Sequence, residues 1–214
     1  MEFVDNYGQS EAGPLTALRR KQYPDKIHTV GKAMPGVELA IFDAAANPLP
    51  VGESGEVATR SRHLMLGYDN NPDLTESVFR HGREWLLTGD IGRLDDDGFL
   101  TIVDRSKDII IVGGENIYPQ EVEKALCEHP HVLECAVFGV PDERLGEIPA
   151  AHVVLDEPES VSADELIVFV VARIARNKRP RVVVFVDSLP KTPVGKIKKN
   201  ELRAPYWRDT GRRI

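Results

Sequence analysis

Cysteine is nearly absent from this chain of 214 residues, which holds only Cys127 and Cys135. The two form no CxxC pair, and no histidine stands near them at zinc-ligand spacing, so neither a zinc ribbon nor a disulfide scaffold is indicated. Two semi-buried thiols in a reducing compartment are expected. Positive charge is also in deficit. Lys and Arg number 27 against 34 Asp and Glu, for a net charge of −7, and the isoelectric point is about 5.4. This excludes the basic footprint of a general nucleic-acid binder. It leaves anionic small molecules open, since a few local lysines and arginines suffice for them. No apolar run approaches a membrane span. The opening MEFVDNYGQSEAG has no basic stretch followed by an apolar one and does not read as a signal peptide. The chain is therefore expected to be cytoplasmic. A phosphate loop of the P-loop NTPases is missing too: Pro190 stands where the Gly195-Lys196 pair would need a glycine. There is no internal repeat and no low-complexity segment.

What is present is an ordinary globular composition, 42% hydrophobic, with length for one large domain or two small ones. Residues 1–25 are polar, glycine-bearing and without a clear period. VELAIFD (37–43) and GEVATRS (55–61) read as strands around a Pro- and Gly-rich turn region. NPDLTESVFR (71–80) reads as a short helix capped by Asn71 or Asp73. WLLTGDIGRLDDDGFLTIVDR (85–105) reads as strand, Asp-Gly turn, strand. SKDIIIVGG adds an apolar run ending in two glycines. Beyond it, residues 118–129 have helical spacing with Pro119 in the first turn. Strands are expected at 132–140 and 148–155. A helix at 162–177 opens on a capping box of Ser162 and Glu165. A buried strand is expected at 181–187. The second half is thus a small α+β arrangement of the type β-α-β-β-α-β, and the first is mostly strands and loops. The change falls near residues 104–107 without a long linker, which suggests a hinge rather than a tether.

Four stretches carry polar residues and glycines where packing does not ask for them. They are YGQSEAG (7–13), TGD (88–90), DRSKDIIIVGGENIYPQEVE (104–123) and PKTPVGK (190–196). In this order, with VGKAMPGVELAIFD, GESGEVATR, LMLGY and KRPRVVVFVDSLPKTPVGK between them, they resemble the C-terminal part of the AMP-forming acyl-CoA synthetases. That family belongs to the adenylate-forming superfamily, with firefly luciferase and the nonribosomal-peptide adenylation domains. The resemblance covers essentially the whole chain. It implies an α+β fold: residues 1–104 as the incomplete end of a large N-terminal domain, a β-barrel-like subdomain; 105–107 as hinge; and 108–214 as a small mobile domain with a central sheet flanked by helices.

The resemblance also implies roles. Tyr7 would lay a flat apolar face on adenine, and Ser10, where the family usually has threonine, would offer a hydroxyl to phosphate. Glu11 would be the carboxylate associated with Mg²⁺, a hard cation that shares oxygen ligands with substrate phosphates. Asp90 would grip the ribose hydroxyls, its two acceptor oxygens facing two adjacent O–H donors. Arg105 would contact the nucleotide beside the hinge, and Lys107 would be the hinge position itself. Gly113, Gly114 and Glu115 would form the loop lining the coenzyme A tunnel, where glycine allows close backbone approach; a tight turn after a strand explains the same glycines. Lys196 would be catalytic, offsetting charge that builds on the α-phosphoryl oxygens. Lys198 and Lys199 would be solvated neighbours.

The implied reaction joins a carboxylic acid, ATP and coenzyme A through an acyl-adenylate, with a fatty or aromatic acid as substrate. No Ser/Thr/Gly-rich phosphate loop of the family occurs in the sequence. The segment is therefore expected to be inactive alone and to need the upstream part of its large domain. A ligase loading a carrier protein, a luciferase-like oxygenase and a non-catalytic remnant binding nucleotide or a partner are the alternatives. The tail APYWRDTGRRI is expected to pack on the small domain.

Overall fold

The computed structural model describes residues 3–208. The chain divides into two compact units, Met1–Lys107 and Asp108–Ile214.

In the first unit the strands are β1 (Val4–Gln9), β2 (Gly13–Arg19), β3 (Lys32–Ala33), β4 (Val37–Phe42) and β5 (Gly55–Ser61). Helix α1 (Pro72–Val78) follows, then β6 (Phe79–Arg80), β7 (Trp85–Leu94) and β8 (Leu100–Arg105). The first three make an antiparallel sheet in the order β1-β2-β3; the rest make a second sheet, β4-β5-β7-β6, with β8 on β7. The expected strands and α1 are present, and Asn71 caps α1 by accepting the Leu74 N–H. The β1–β2 hairpin was not expected. β1 alternates exposed and half-buried, mostly polar residues, β2 buries Leu15, Thr16 and Leu18 without regular alternation, and Gly8, Gly13 and Pro14 disguise the pair as a loop. Tertiary packing makes it a hairpin: Ala12 and Leu15 are fully buried beside Val37, Phe79 and Leu86.

The second unit begins with the hairpin β9 (Ile110–Val112) and β10 (Glu115–Ile117). Then come α2 (Pro119–Cys127), β11 (Val132–Asp142), β12 (Gly146–Leu155), α3 (Ala163–Val171), β13 (Val182–Phe185) and α4 (Lys199–Trp207). β12 pairs antiparallel with β11 along its length, with β9 at its start, and parallel with β13. Side chains alternate across a strand. Cys135, Val137, Ala151 and Val153 therefore face α2 and α3, while Phe138, Val140 and Ala150 face α4. Both faces of β11–β12 are covered, which explains their nearly unbroken apolar runs.

Three expectations are corrected here. α3 ends at Val171, not near 177, because Ala175 turns to ψ 137° and the chain must return for β13. β13 is half-buried rather than buried, since it is an edge strand paired with β12 alone. The thiols are not alike: Cys127 is exposed and Cys135 buried. The tail forms α4 despite Pro205 inside it. Trp207 is buried and donates its indole N–H to the Gly139 carbonyl, and the Tyr206 hydroxyl meets His152. The rest of the tail, residues 209–214, lies outside the described residues, as does Met1.

The capping box is present as expected, with the Glu165 carboxylate back on the Ser162 N–H. Ser162→Ala should lower unfolding free energy by about 1 kcal/mol in urea titrations. Residues 108–214 hold a complete two-faced core. Expressed alone they should melt in one cooperative transition, and an unfolded amide spectrum would refute this.

Candidate active site

In the first unit, β1 ends at Gln9 and the chain turns through Ser10, Glu11 and Ala12 into β2. Ala12 is buried and fixes the turn, which leaves Ser10 exposed and Glu11 half-buried. The loop after β5 clasps this turn twice. The Met65 N–H donates to the Glu11 carbonyl at 2.7 Å, and the Tyr68 hydroxyl donates to Glu11 Oε1 at 3.1 Å. Burial and this bond to Glu11 raise the Tyr68 phenol above its ordinary range, so it stays a donor.

The TGD stretch is a bulge. Glu56 pairs with Ile91 and Ala58 with Leu87, so Thr88, Gly89 and Asp90 oppose the single residue Val57. Such an insertion re-aims side chains that regular alternation would fix. Gly89 has φ +74°, the left-handed region that costs an L side chain about 1–2 kcal/mol. Thr88 secures the bulge: its hydroxyl donates to the Val57 carbonyl at 2.9 Å and accepts the Asp90 N–H at 3.2 Å. The Ser106 hydroxyl donates to the Gly89 carbonyl at 3.1 Å.

Aimed in this way, Asp90 Oδ2 accepts the Tyr7 hydroxyl at 2.6 Å, and Oδ1 lies 3.6 Å from Arg105 Nε. The Asp90 side chain is 17% exposed. Burial, then the bond to Asp90, pushes the Tyr7 phenol far above its usual value, so it remains a neutral donor. Burial also raises the Glu56 carboxyl, against the Gly89 N–H and the Arg80 charge, with Asp90 adding to the rise. Two motifs 83 residues apart in the chain therefore share one carboxylate. A carboxylate has about four lone-pair sites, so Asp90 retains acceptor capacity beside Tyr7. Lys107 lies in the short turn Ser106–Asp108 and is exposed.

Tyr68 and Thr88 were missed as site residues. Both lie in sequence motifs, LMLGY and TGD, yet nothing local says that residue 68 meets residue 11. That contact is a product of the fold.

In the second unit, Gly113 and Gly114 make the turn of the β9–β10 hairpin, and the Gly113 N–H donates to the Leu145 carbonyl at 2.9 Å. Glu115 is exposed and accepts the Asn177 side-chain amide at 2.6 Å. Lys196 stands on a tight loop. Lys191 and Ile197 bridge, the Thr192 N–H donates to the Lys196 carbonyl at 2.8 Å, and the Thr192 hydroxyl accepts the Lys196 N–H at 3.1 Å. Gly195 makes the turn at φ +82°. The neighbouring lysines are tied down: Lys191 to Glu134, Lys198 to Glu201 and Lys199 to Glu123. Lys196 is exposed and has no anionic partner among the described residues. Lys199 is corrected from a solvated neighbour. Its side chain is only 16% exposed, because α4 starts beside α2 and Glu123 holds both the Lys199 ammonium and the Val137 N–H.

Two family models match the sequence: the AMP-binding enzyme over residues 1–69 and the AMP-binding enzyme C-terminal domain over residues 121–196. A putative acyl-CoA synthetase, YngI, of Bacillus subtilis is 42% identical over 92% of this chain and 36% of its own length. The chain belongs to the AMP-binding enzyme family. Feruloyl-CoA synthase of an Amycolatopsis species is 41% identical over 96% of the chain and 42% of its own. The solved structure of o-succinylbenzoate coenzyme A synthetase (MenE) from Bacillus subtilis, in complex with ATP and magnesium ion, superposes with a TM-score of 0.83 at 36% identity. That match covers 94% of this chain and 41% of MenE. The chain thus spans well under half the length of these AMP-binding relatives. Among the described residues no helix is long and apolar enough to cross a membrane.

The bulge generates a direct prediction. Gly89→Ala should lower unfolding free energy by about 1–2 kcal/mol. A denaturation midpoint equal to that of the unmodified chain would show that the left-handed turn is dispensable.

Proposed function

We propose that this chain is the C-terminal part of a longer AMP-forming acid–thiol ligase that activates a fatty or aromatic carboxylic acid with ATP and passes it to coenzyme A. The observation that carries the reading is the meeting of Tyr7 and Asp90 at 2.6 Å on a bulge that ends beside Arg105. The ring of Tyr7 gives a flat face for a base, and Asp90 gives free lone pairs for ribose hydroxyls. Arg105 adds a planar multi-donor cation for the nucleotide. Ser10, exposed on the adjacent turn, is a hydroxyl for phosphate.

Glu11 suits a magnesium ion brought in with the nucleotide. Magnesium is commonly held by one or two carboxylates together with substrate phosphates. Here a single half-buried carboxylate is oriented by Tyr68, and among the described residues no group of three or more His, Cys, Asp or Glu forms a complete metal cage. When bound, the ion would help neutralise the phosphates.

In the first half-reaction, a carboxylate oxygen of the acid attacks the α-phosphorus of ATP. The bond to the β-phosphate bridging oxygen breaks and pyrophosphate leaves. Negative charge grows on the α-phosphoryl oxygens, and Lys196, which has no anionic partner among the described residues, offsets it. In the second, the coenzyme A sulfur attacks the acyl carbon and AMP leaves. The Gly113–Gly114 turn with Glu115 lines the thiol route, and Lys107 is the hinge position. The reading favours coenzyme A over a carrier protein because the relatives' names carry that thiol.

The test is carboxylate-dependent ATP–pyrophosphate exchange by the longer enzyme. Lys196→Ala should reduce kcat about a hundredfold or more with little change in KM for ATP. Asp90→Asn should act mainly by raising KM for ATP. Unchanged exchange in the Lys196 variant would refute its catalytic role.

A further inference from the structure

The two cysteines lie outside every residue assigned above. Cys127 is the last residue of α2 and is exposed. Cys135 belongs to β11, is 5% exposed, and faces the core beneath α2. The short connection after α2 folds β11 back along the helix, and the two sulfurs come to 3.5 Å across a separation of eight residues. A disulfide needs about 2.05 Å between sulfurs. Rotation of two short side chains already in contact can supply the remaining closure. The Cys135 thiol also approaches the Glu123 carbonyl at 3.5 Å, which holds it on the inner side of the pair.

We propose that Cys127 and Cys135 form a reversible disulfide under hydroperoxide, fastening the end of α2 to β11. The inference is independent of the ligase reading, since neither sulfur belongs to its machinery. The exposed Cys127 sulfur is the attacking atom. Its lone pair takes one peroxide oxygen, the O–O bond breaks, and the other oxygen leaves with a proton as water or alcohol. Cys127 is then a sulfenic acid. The Cys135 sulfur attacks the Cys127 sulfur, the S–O bond breaks, and the hydroxyl leaves with the Cys135 proton as water. Each sulfur has given up one electron, and the peroxide has accepted both.

The surroundings suit this division of labour. Donation from the Cys135 S–H lowers the Cys127 thiol to about 7, although partial burial and the carboxylates of Glu123 and Glu134 oppose it. The same hydrogen bond, with burial, holds Cys135 well above the usual thiol range, against the pull of Lys199. The outer sulfur is thus the nucleophile and the inner one its protonated resolving partner.

The test is hydrogen peroxide applied to the whole chain, followed by alkylation and peptide mapping. Both thiols should disappear together, the peptides carrying Cys127 and Cys135 should be joined within one chain, and a dithiol reductant should restore both. Cys135→Ser should stop at a Cys127 sulfenic acid that a cyclic 1,3-diketone traps. Cys127→Ser should leave Cys135 unmodified. Cys127 advancing to a sulfinic acid while Cys135 stays a thiol would overturn the proposal. So would disulfides formed only between chains through Cys127. The mapping of the unmodified chain decides the matter even if a variant folds poorly.

Discussion

The hydrogen bond from Tyr7 to Asp90 ties the two sheets of the first unit together. Tyr7 comes from β1 of the three-stranded sheet, and Asp90 from β7 of the five-stranded one. The tyrosine ring lies against the apolar clusters around Leu15 and around Val57, so its position is set by packing before its hydroxyl is used. The carboxylate must then come to the hydroxyl. Regular strand alternation cannot deliver it, and the three-residue bulge does. Bonds of this kind to a charged group contribute roughly 1.5–3 kcal/mol. The polar site therefore adds to the rigidity of the sheets that carry it.

Much of this fold was legible in the sequence because local rules and tertiary packing agree there. VELAIFD, GEVATRS and the Asp-Gly turn at 95–98 have strand and turn chemistry that the packing keeps. The caps Asn71 and Ser162 announce helices that exist. The failures share one cause: long-range contacts overrule local pattern. β1 lacks an apolar signature, β2 carries Leu15 and Leu18 without strand alternation, and the hairpin forms because Ala12 and Leu15 are swallowed by residues 22 to 74 positions away. α4 contains a proline and little periodicity, and it is held by Leu202, Tyr206 and Trp207 against the outer face of β11. The site divides in the same way. The motifs named Tyr7, Asp90 and Lys196, but the bond of Tyr68 to Glu11 and the pairing of Lys199 with Glu123 exist only in three dimensions.

The lysines near the C-terminus show how a fold distinguishes chemically identical groups. Ion pairs at a surface contribute little stability, about 0–1 kcal/mol each. Their effect here is positional. Lys191, Lys198 and Lys199 each lose freedom to a glutamate, while the Thr192–Lys196 loop keeps one ammonium on a short stalk in water. A cation already neutralised by a carboxylate would have to break that contact before meeting phosphate. Lys196 has no such contact to break among the described residues.

Burial of β11 and β12 on both faces carries a cost in specificity. With apolar side chains above and below, a shifted pairing of the two strands would still be greasy on each side, and alternation alone would not reject it. A polar mark does. Gly139 has no side chain, and the Glu147 carboxylate occupies that space: a Cβ at 139 would fall 2.3 Å from Glu147 Oε2. Sliding the strands by two residues would bring Val137 or Pro141 under the same carboxylate. One glycine and one buried acid thus act as a notch and a key, setting which residue of β12 lies beside which residue of β11.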